Sequence, residues 1–150
     1  RARVVEVLEV LPDGRLNVVV EGGDRFRLLE VEHSLRSFDV GTVEELVDDR
    51  DDPPAPADAE RALALFDRIQ TIVGSAGDVP EQASPTLDWE LASRIELPVE
   101  RKQELLELTS PRRRLELLVS LLERGLQGLE LQAELQRRAS SNGKVTPLTE

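Results

Sequence analysis

Apolar positions in this chain follow two rhythms, one before residue 48 and another after residue 58. In the first stretch Val4, Val5, Val7, Leu8, Val10 and Leu11 form a β-branched-rich run interrupted by Glu6 and Glu9. Pro12-Asp13-Gly14 ends it with a turn signal: proline presets φ, the Asp carboxylate bonds nearby backbone, and glycine accepts a positive φ. Leu16, Val18 and Val20 then alternate with Asn17, Val19 and Glu21, the period-two pattern of a half-buried strand. Gly22-Gly23 breaks that strand. Phe26, Leu28 and Leu29 begin another, and the stretch from Phe38 to Val47 supplies at least one more. The pattern predicts a β-meander over residues 1–48 whose first strand wants a partner upstream of Arg1.

Residues 49–58 have a different character. With Asp48 they read "DDRDDPPAPAD", five acids and three prolines with no large apolar side chain. That composition predicts a solvated linker or long loop; as a cation site it lacks any evident ligand geometry. The period then becomes 3.6. Ala62, Leu63, Phe66, Ile69, Ile72 and Val73 share one stripe of a helix running from Ala59 to Val73. A break over residues 74–85 precedes a short helix at 86–96 with Leu87, Leu91, Ala92 and Ile95 on one side and Trp89 nearby. Pro98 suits the first turn of a third helix, "VERKQELLEL", expected to bury Leu105, Leu106 and Leu108. Ser110-Pro111, a capping hydroxyl before a proline, starts the last helix. Its stripe is Leu115, Leu118, Leu122, Leu126, Leu129 and Ala133, widened by Leu117 and Leu121. Ending near Arg138 it would be about 40 Å long, more than a small domain covers. Gly125 and Gly128 each weaken it by about 1 kcal/mol relative to alanine. The helical subdomain is thus predicted over 59–138, and 139–150, "ASSNGKVTPLTE", reads as a disordered tail.

Composition narrows the possibilities. The four aromatics are Phe26, Phe38, Phe66 and Trp89, so the core must be aliphatic. A net charge of −11 opposes phosphate backbones and anionic lipid. No cysteine is present, which excludes disulfides and thiolate metal sites. No apolar run reaches membrane-spanning length and no secretory signal is evident, so the expected location is cytoplasmic. The chain contains no methionine, and the simplest reading puts the natural start upstream of Arg1.

The order of elements is itself informative. "VLPDGRLNVVVEGGDRFRL", then an acidic gap, then "LPVERKQELLELTSPRRRLELLVSLLE" resembles the amino-terminal substrate-recognition domain of the Lon protease family. The Pro-Asp-Gly turn and Val-x-Val-x-Gly segment of that family correspond to Pro12, Asp13, Gly14, Val18, Val20 and Gly22, with Arg25 nearby. Its "L-P-L-x-x-x-x-K-Q-x-L-L-E" segment is matched by Leu97, Pro98, Lys102, Gln103, Leu105, Leu106 and Glu107, and its "R-L-x-x-L" helix by Arg114, Leu115 and Leu118. The resemblance covers roughly residues 1–125. It implies an α+β fold: a PUA-like β pseudo-barrel followed by a small helical bundle with a long C-terminal helix. The family's opening "L-P-L-F-P-L" strands have no counterpart, so the barrel is expected to be incomplete at its amino-terminal side.

Candidate chemistry is sparse. The AAA+ motor and Ser-Lys protease parts of Lon are missing, with no phosphate loop and with Lys102 and Lys144 both read as solvated. His33 could bind metal only with Glu30 or Glu32, yet adjacent strand residues face opposite ways, so a surface histidine is the expectation. Arg112 to Arg114 form the one basic cluster. Its arginines are expected to pair with Glu100, Glu104 or Glu107, and its use as an RNA footprint, through the PUA-like resemblance, ranks low. Recognition through surface remains. Arg25 and Phe26 beside Gly22-Gly23, Phe38, and Trp89 are the candidate peptide-binding residues.

The expected role is a non-enzymatic module, without cofactor or metal, that binds unfolded or damaged polypeptides. It is expected to be a stand-alone protein rather than a piece cut from a full protease, with a protease as a candidate partner. The rival is an assembly role in which the last helix meets a second copy.

Overall fold

The computed structural model describes residues 1–33, 37–50, 52–75 and 77–142, except for the side chains of Ser140, Ser141 and Asn142. The chain divides after Asp48 into a β unit and a helical unit.

In the β unit, β1 (Ala2–Val10) pairs antiparallel with β2 (Leu16–Gly22), and β3 (Phe26–Glu32) with β4 (Val40–Glu45). These are two separate two-stranded sheets, which corrects the expected continuous meander. The turn between β1 and β2 forms as the sequence predicts: Gly14 sits at φ 87 and its N–H donates to the Leu11 carbonyl at 3.0 Å. The Asp13 carboxylate accepts the Arg15 backbone N–H at 3.1 Å and the Arg15 Nε at 2.7 Å.

Register explains a feature of β1 that simple alternation does not. Apolar residues there recur every third position, whereas those of β2 recur every second. Irregularities between Val4 and Glu6, and between Val7 and Glu9, reconcile the two. Each adds one residue to β1, the count that defines a bulge. Val4, Val7 and Val10 consequently face Val20, Val18 and Leu16, while Glu6 and Glu9 face Val19 and Asn17. One face of the hairpin is aliphatic; the other carries the Arg3–Glu21 pair and the Asn17–Glu9 hydrogen bond, both 2.9 Å. The second hairpin repeats the device with one irregularity between Leu28 and Glu30, which sets Phe26, Leu28 and Val31 on the face of Val43 and Gly41. Gly41 is required there. A Cβ at that position would lie 2.7 Å from Leu28 Cδ1 and 3.0 Å from the Glu30 carbonyl oxygen.

The helical unit contains α1 (Pro56–Val73), α2 (Leu87–Arg94), α3 (Val99–Glu107) and α4 (Pro111–Asn142). Its core is Ala59, Ala62, Phe66, Leu87, Leu91, Leu105, Leu115, Leu118, Val119 and Leu122, aliphatic apart from one phenylalanine. Helix α1 begins at Pro56, inside the expected linker, because proline is well suited to a first helical turn. It ends on Gly74, which takes the left-handed conformation at φ 72 and returns its N–H to the Gln70 carbonyl. In α3 only Leu105 is fully buried; Leu108 is half-buried and Leu106 is exposed, contrary to expectation.

Helix α4 is capped as the sequence indicates, the Arg113 N–H donating to Ser110 Oγ at 3.0 Å. It has 32 residues, about 48 Å of helix at 1.5 Å per residue, and runs four residues beyond the expected end at Arg138. The rest of the expected tail, 143–150, lies outside the described residues. Helices α1 and α4 run parallel: Arg61 pairs with Glu123, and seven residues further along both helices Arg68 pairs with Glu130 at 2.5 Å.

The acidic segment before α1 is tied to the start of α4. The Asp49 N–H donates to the Thr109 carbonyl at 2.8 Å. Asp52 accepts Ser110 Oγ at 2.5 Å and Arg112 Nε at 2.6 Å.

Candidate functional site

Most of the exposed large apolar side chains among the described residues belong to the β unit. Every strand residue on both hairpins is exposed except Val18, which is half-buried. The first aliphatic face presents Val4, Val7, Val10, Leu16 and Val20; the second presents Phe26, Leu28, Val31 and Val43. Single exposed apolar residues are ordinary, but contiguous faces of this kind mark surfaces that meet other polypeptide. The three bulged-out apolar residues, Val5, Leu8 and Leu29, are all exposed, at 48%, 62% and 58%.

The four candidate contact residues are differently employed. Phe26 lies on the second aliphatic face at the edge of exposure, and Phe38, in the segment joining β3 to β4, is 57% exposed. Arg25 is committed to Asp48 through a short ion pair and is mostly shielded from solvent. Trp89 belongs to the helical unit and lies against the guanidinium of Arg114, 3.9 Å from ring centroid to Cζ.

Arg114 is the principal departure from the sequence reading. Expected on the surface beside Glu100, Glu104 or Glu107, it is instead fully buried with Asp88. Its Nε donates to Asp88 Oδ2 at 2.5 Å and its Nη1 to the Leu108 carbonyl at 2.7 Å, while Trp89 closes one face. Asp88 accepts a further bond, from the Trp89 N–H, at 2.9 Å. A charge removed from water is tolerable only with such full pairing. The available signal was positional: Arg114 lies four residues before buried Leu118, and Asp88 follows buried Leu87 in the first turn of α2. Arg112 is likewise engaged by Asp52, so two of the three clustered arginines are held by carboxylates.

Two carboxylates are shifted. Hydrogen bonding from Ser110, then from Arg112 with that cation's field, holds Asp52 below its usual range. Glu90 is lowered by Ser84, then Thr86, with Arg94 adding to it. Both are helix-end arrangements and neither faces a reactive partner. His33 is exposed, with Nδ1 3.3 Å from Asp39 Oδ1. Among the described residues no group of three His, Asp or Glu side chains converges as a metal site. No described helix is long and apolar enough to cross a membrane. Lys102 is exposed on α3, and Lys144 lies outside the described residues.

Separate β and helical units, with an exposed aliphatic face on each hairpin, define an α+β recognition module. The chain belongs to the family described as the ATP-dependent protease La (LON) substrate-binding domain, which it matches over residues 1–124. It is 30% identical over 155 residues to a Lon protease from Xanthomonas oryzae pv. oryzae (strain KACC10331 / KXO85), a match that takes in 93% of this chain and 17% of that protein. It thus spans a small fraction of that relative's length. Its structure is similar to the crystal structure of a Lon N-terminal domain protein from Xanthomonas campestris, with a TM-score of 0.57 and 26% identity over 79% of this chain and 64% of that one.

Proposed function

We propose that the chain recognises unfolded or damaged polypeptides, holding their exposed apolar segments without covalent chemistry. The observation that carries this reading is the pair of aliphatic hairpin faces, each assembled by bulges and each open to solvent. Membership of a substrate-binding family supports it. In this reading the two hairpins form part of a PUA-like pseudo-barrel whose aliphatic interior stays accessible, with Phe26 and Phe38 beside it. Clients are gripped by area rather than by a specific group, since burial of apolar surface is favourable and non-directional. The module works in the cytoplasm and delivers clients to a protease, a role suggested by the Lon protease relative.

The test is association with a reduced, carboxymethylated protein, followed by fluorescence anisotropy. Binding in the micromolar range is expected, weakened about ten-fold by Leu28→Glu combined with Val7→Glu, one loss of about 1.4 kcal/mol. No association of the unaltered chain, or no loss in the double variant, would overturn the reading.

One observation favours a second role, self-association through α4. Leu131 and Leu135 are 62% and 57% exposed, and a Cβ added at Gly125 or Gly128 would meet nothing within 4 Å. Light scattering on Leu131→Glu with Leu135→Glu decides it: a dimer converted to monomer supports assembly, and an unchanged mass removes it.

A further inference from the structure

The helical unit contains a groove that the hairpin reading does not use. Pro54, Pro56, Ala59, Gln82, Ala83 and Leu87 line it, together with Ser84, and it encloses about 410 Å³. That is near the lower end of ligand pockets, roughly 300–1,000 Å³, and suits one or two side chains rather than a large cofactor. Its lining carries no charge. Hydrophobic burial can anchor a guest there, while orientation must come from the rim.

The segments that form the groove carry charge of one sign. The groove is built from two segments, 52–60 and 77–90. Together they carry Asp52, Asp58, Glu60, Asp78, Glu81, Asp88 and Glu90 among their described residues, and neither contains a lysine or arginine. Three of the seven are occupied: Asp88 by Arg114, Asp52 by Arg112, and Glu90 by Ser84, Thr86 and Arg94. Asp58 complements the first turn of α1. Glu60, Asp78 and Glu81 have neither role and are exposed; Glu81 adjoins Gln82 in the lining and Glu60 adjoins Ala59. Arg61, the first cation after Glu60, pairs with Glu123 on α4. An apolar groove whose forming segments carry exposed acids and no lysine or arginine is complementary to one kind of guest.

We infer that this groove is a second docking site that takes a large apolar side chain flanked by lysine or arginine in an extended polypeptide. The inference rests on the proposed polypeptide-binding function and gives it a sequence preference. The apolar anchor supplies affinity, and the flanking cations supply selection and faster encounter. Segments flanked by Asp or Glu meet like charge at the rim and are rejected.

The test uses the full chain and two fluorescein-labelled peptides with the same Phe-Leu centre, one flanked by arginines and the other by glutamates. The arginine peptide should bind at least about ten-fold more tightly, a difference that shrinks with added salt. Because the whole chain is acidic, net charge must be separated from the site. Glu81→Lys should weaken the arginine peptide about three-fold, whereas Glu116→Lys, the same charge change on the exposed side of α4, should leave it nearly unchanged. Ala83→Trp, which fills the groove from its exposed rim, should weaken both peptides.

Equal effects of Glu81→Lys and Glu116→Lys, or equal affinity for the two peptides, overturns the inference. Should Ala83→Trp fail to fold, the charge pair still decides. If denatured protein still binds the unaltered chain in any of these cases, the groove is wrong and the hairpin reading stands. If neither peptide nor denatured protein binds, the underlying function fails instead.

Discussion

The helical unit and the β unit are both rich in aliphatic residues, yet they use them in opposite ways. In the helical unit Leu91, Leu115 and Leu118 are wholly removed from solvent, and even an arginine is buried with its carboxylate. In the β unit no strand residue is fully buried, although Val and Leu together are more frequent there than in the helical unit. Four amphipathic helices can close around a shared core, whereas a two-stranded sheet offers each apolar face no opposing layer. Stability should therefore reside in residues 49–142, and apolar surface available to partners in residues 1–48. Trp89, the one tryptophan, reports on the helical unit when unfolding is followed by fluorescence.

The largest expected effect is at Asp88. Substituting Asp88→Ala removes the carboxylate that pairs with the buried Arg114 guanidinium. Breaking one side of a buried ion pair costs about 3–5 kcal/mol, which should unfold much of the helical unit at moderate urea. Replacing both partners, Asp88→Leu with Arg114→Met, should recover most of that loss. A single-variant cost below about 1 kcal/mol in urea titration would show that the pair is hydrated, and the contrast between the units would lose its sharpest term.

A matched pair of truncations measures the contrast directly. Leu118→Ala in the helical core should cost about 2–5 kcal/mol through lost burial and the cavity left behind. Leu28→Ala, on an open hairpin face, should cost within about 0.5 kcal/mol of nothing while weakening client binding. Circular dichroism melts of the two variants suffice. Comparable losses at both positions would mean that the hairpin face is covered in solution, and polypeptide binding would then have to use other surface.

The same contrast governs how much could be read from sequence. Helix order, the Ser110 cap, the Pro12-Asp13-Gly14 turn and the core positions Phe66, Leu91, Leu105, Leu115 and Leu118 follow from local rules, period 3.6 and capping chemistry, and were legible. Pairing of the hairpins was not, because Val4-Val5 and Val7-Leu8 break strict alternation and only the partner strand fixes which member of each couple is expelled. The burial of Arg114 was also hidden. Its charge suggests surface, and the compensating Asp88 lies 26 residues away on another helix. The aromatic residues were sound guides to where something packs and poor guides to what. Trp89 stacks on an arginine, while Phe38 is 57% exposed. The Pro-rich acidic segment misled for a similar reason: its charge count implied repulsion, but Asp52 finds three donors at the start of α4, through its side chain and its carbonyl.

That last arrangement gives the smallest effect, and one with a defined sign. The folded-state pKa of Asp52 is depressed, chiefly by the Ser110 hydroxyl, so the unfolded chain takes up its proton first as pH falls. Its contribution is fully present above the usual carboxylate value, 3.8, and is lost as pH falls below it through the folded value. Glu90, depressed by Ser84 and Thr86, acts in the same direction. The helical unit should therefore lose stability on acidification below about pH 4, and Asp52→Asn should flatten that dependence while lowering stability slightly at neutral pH. Urea midpoints read from Trp89 fluorescence at pH 3 and pH 7 provide the measurement. An unchanged difference between the two pH values in Asp52→Asn would show that the acidic segment is solvated after all, and that the helical unit ends its ordered structure at α1 rather than at Asp49.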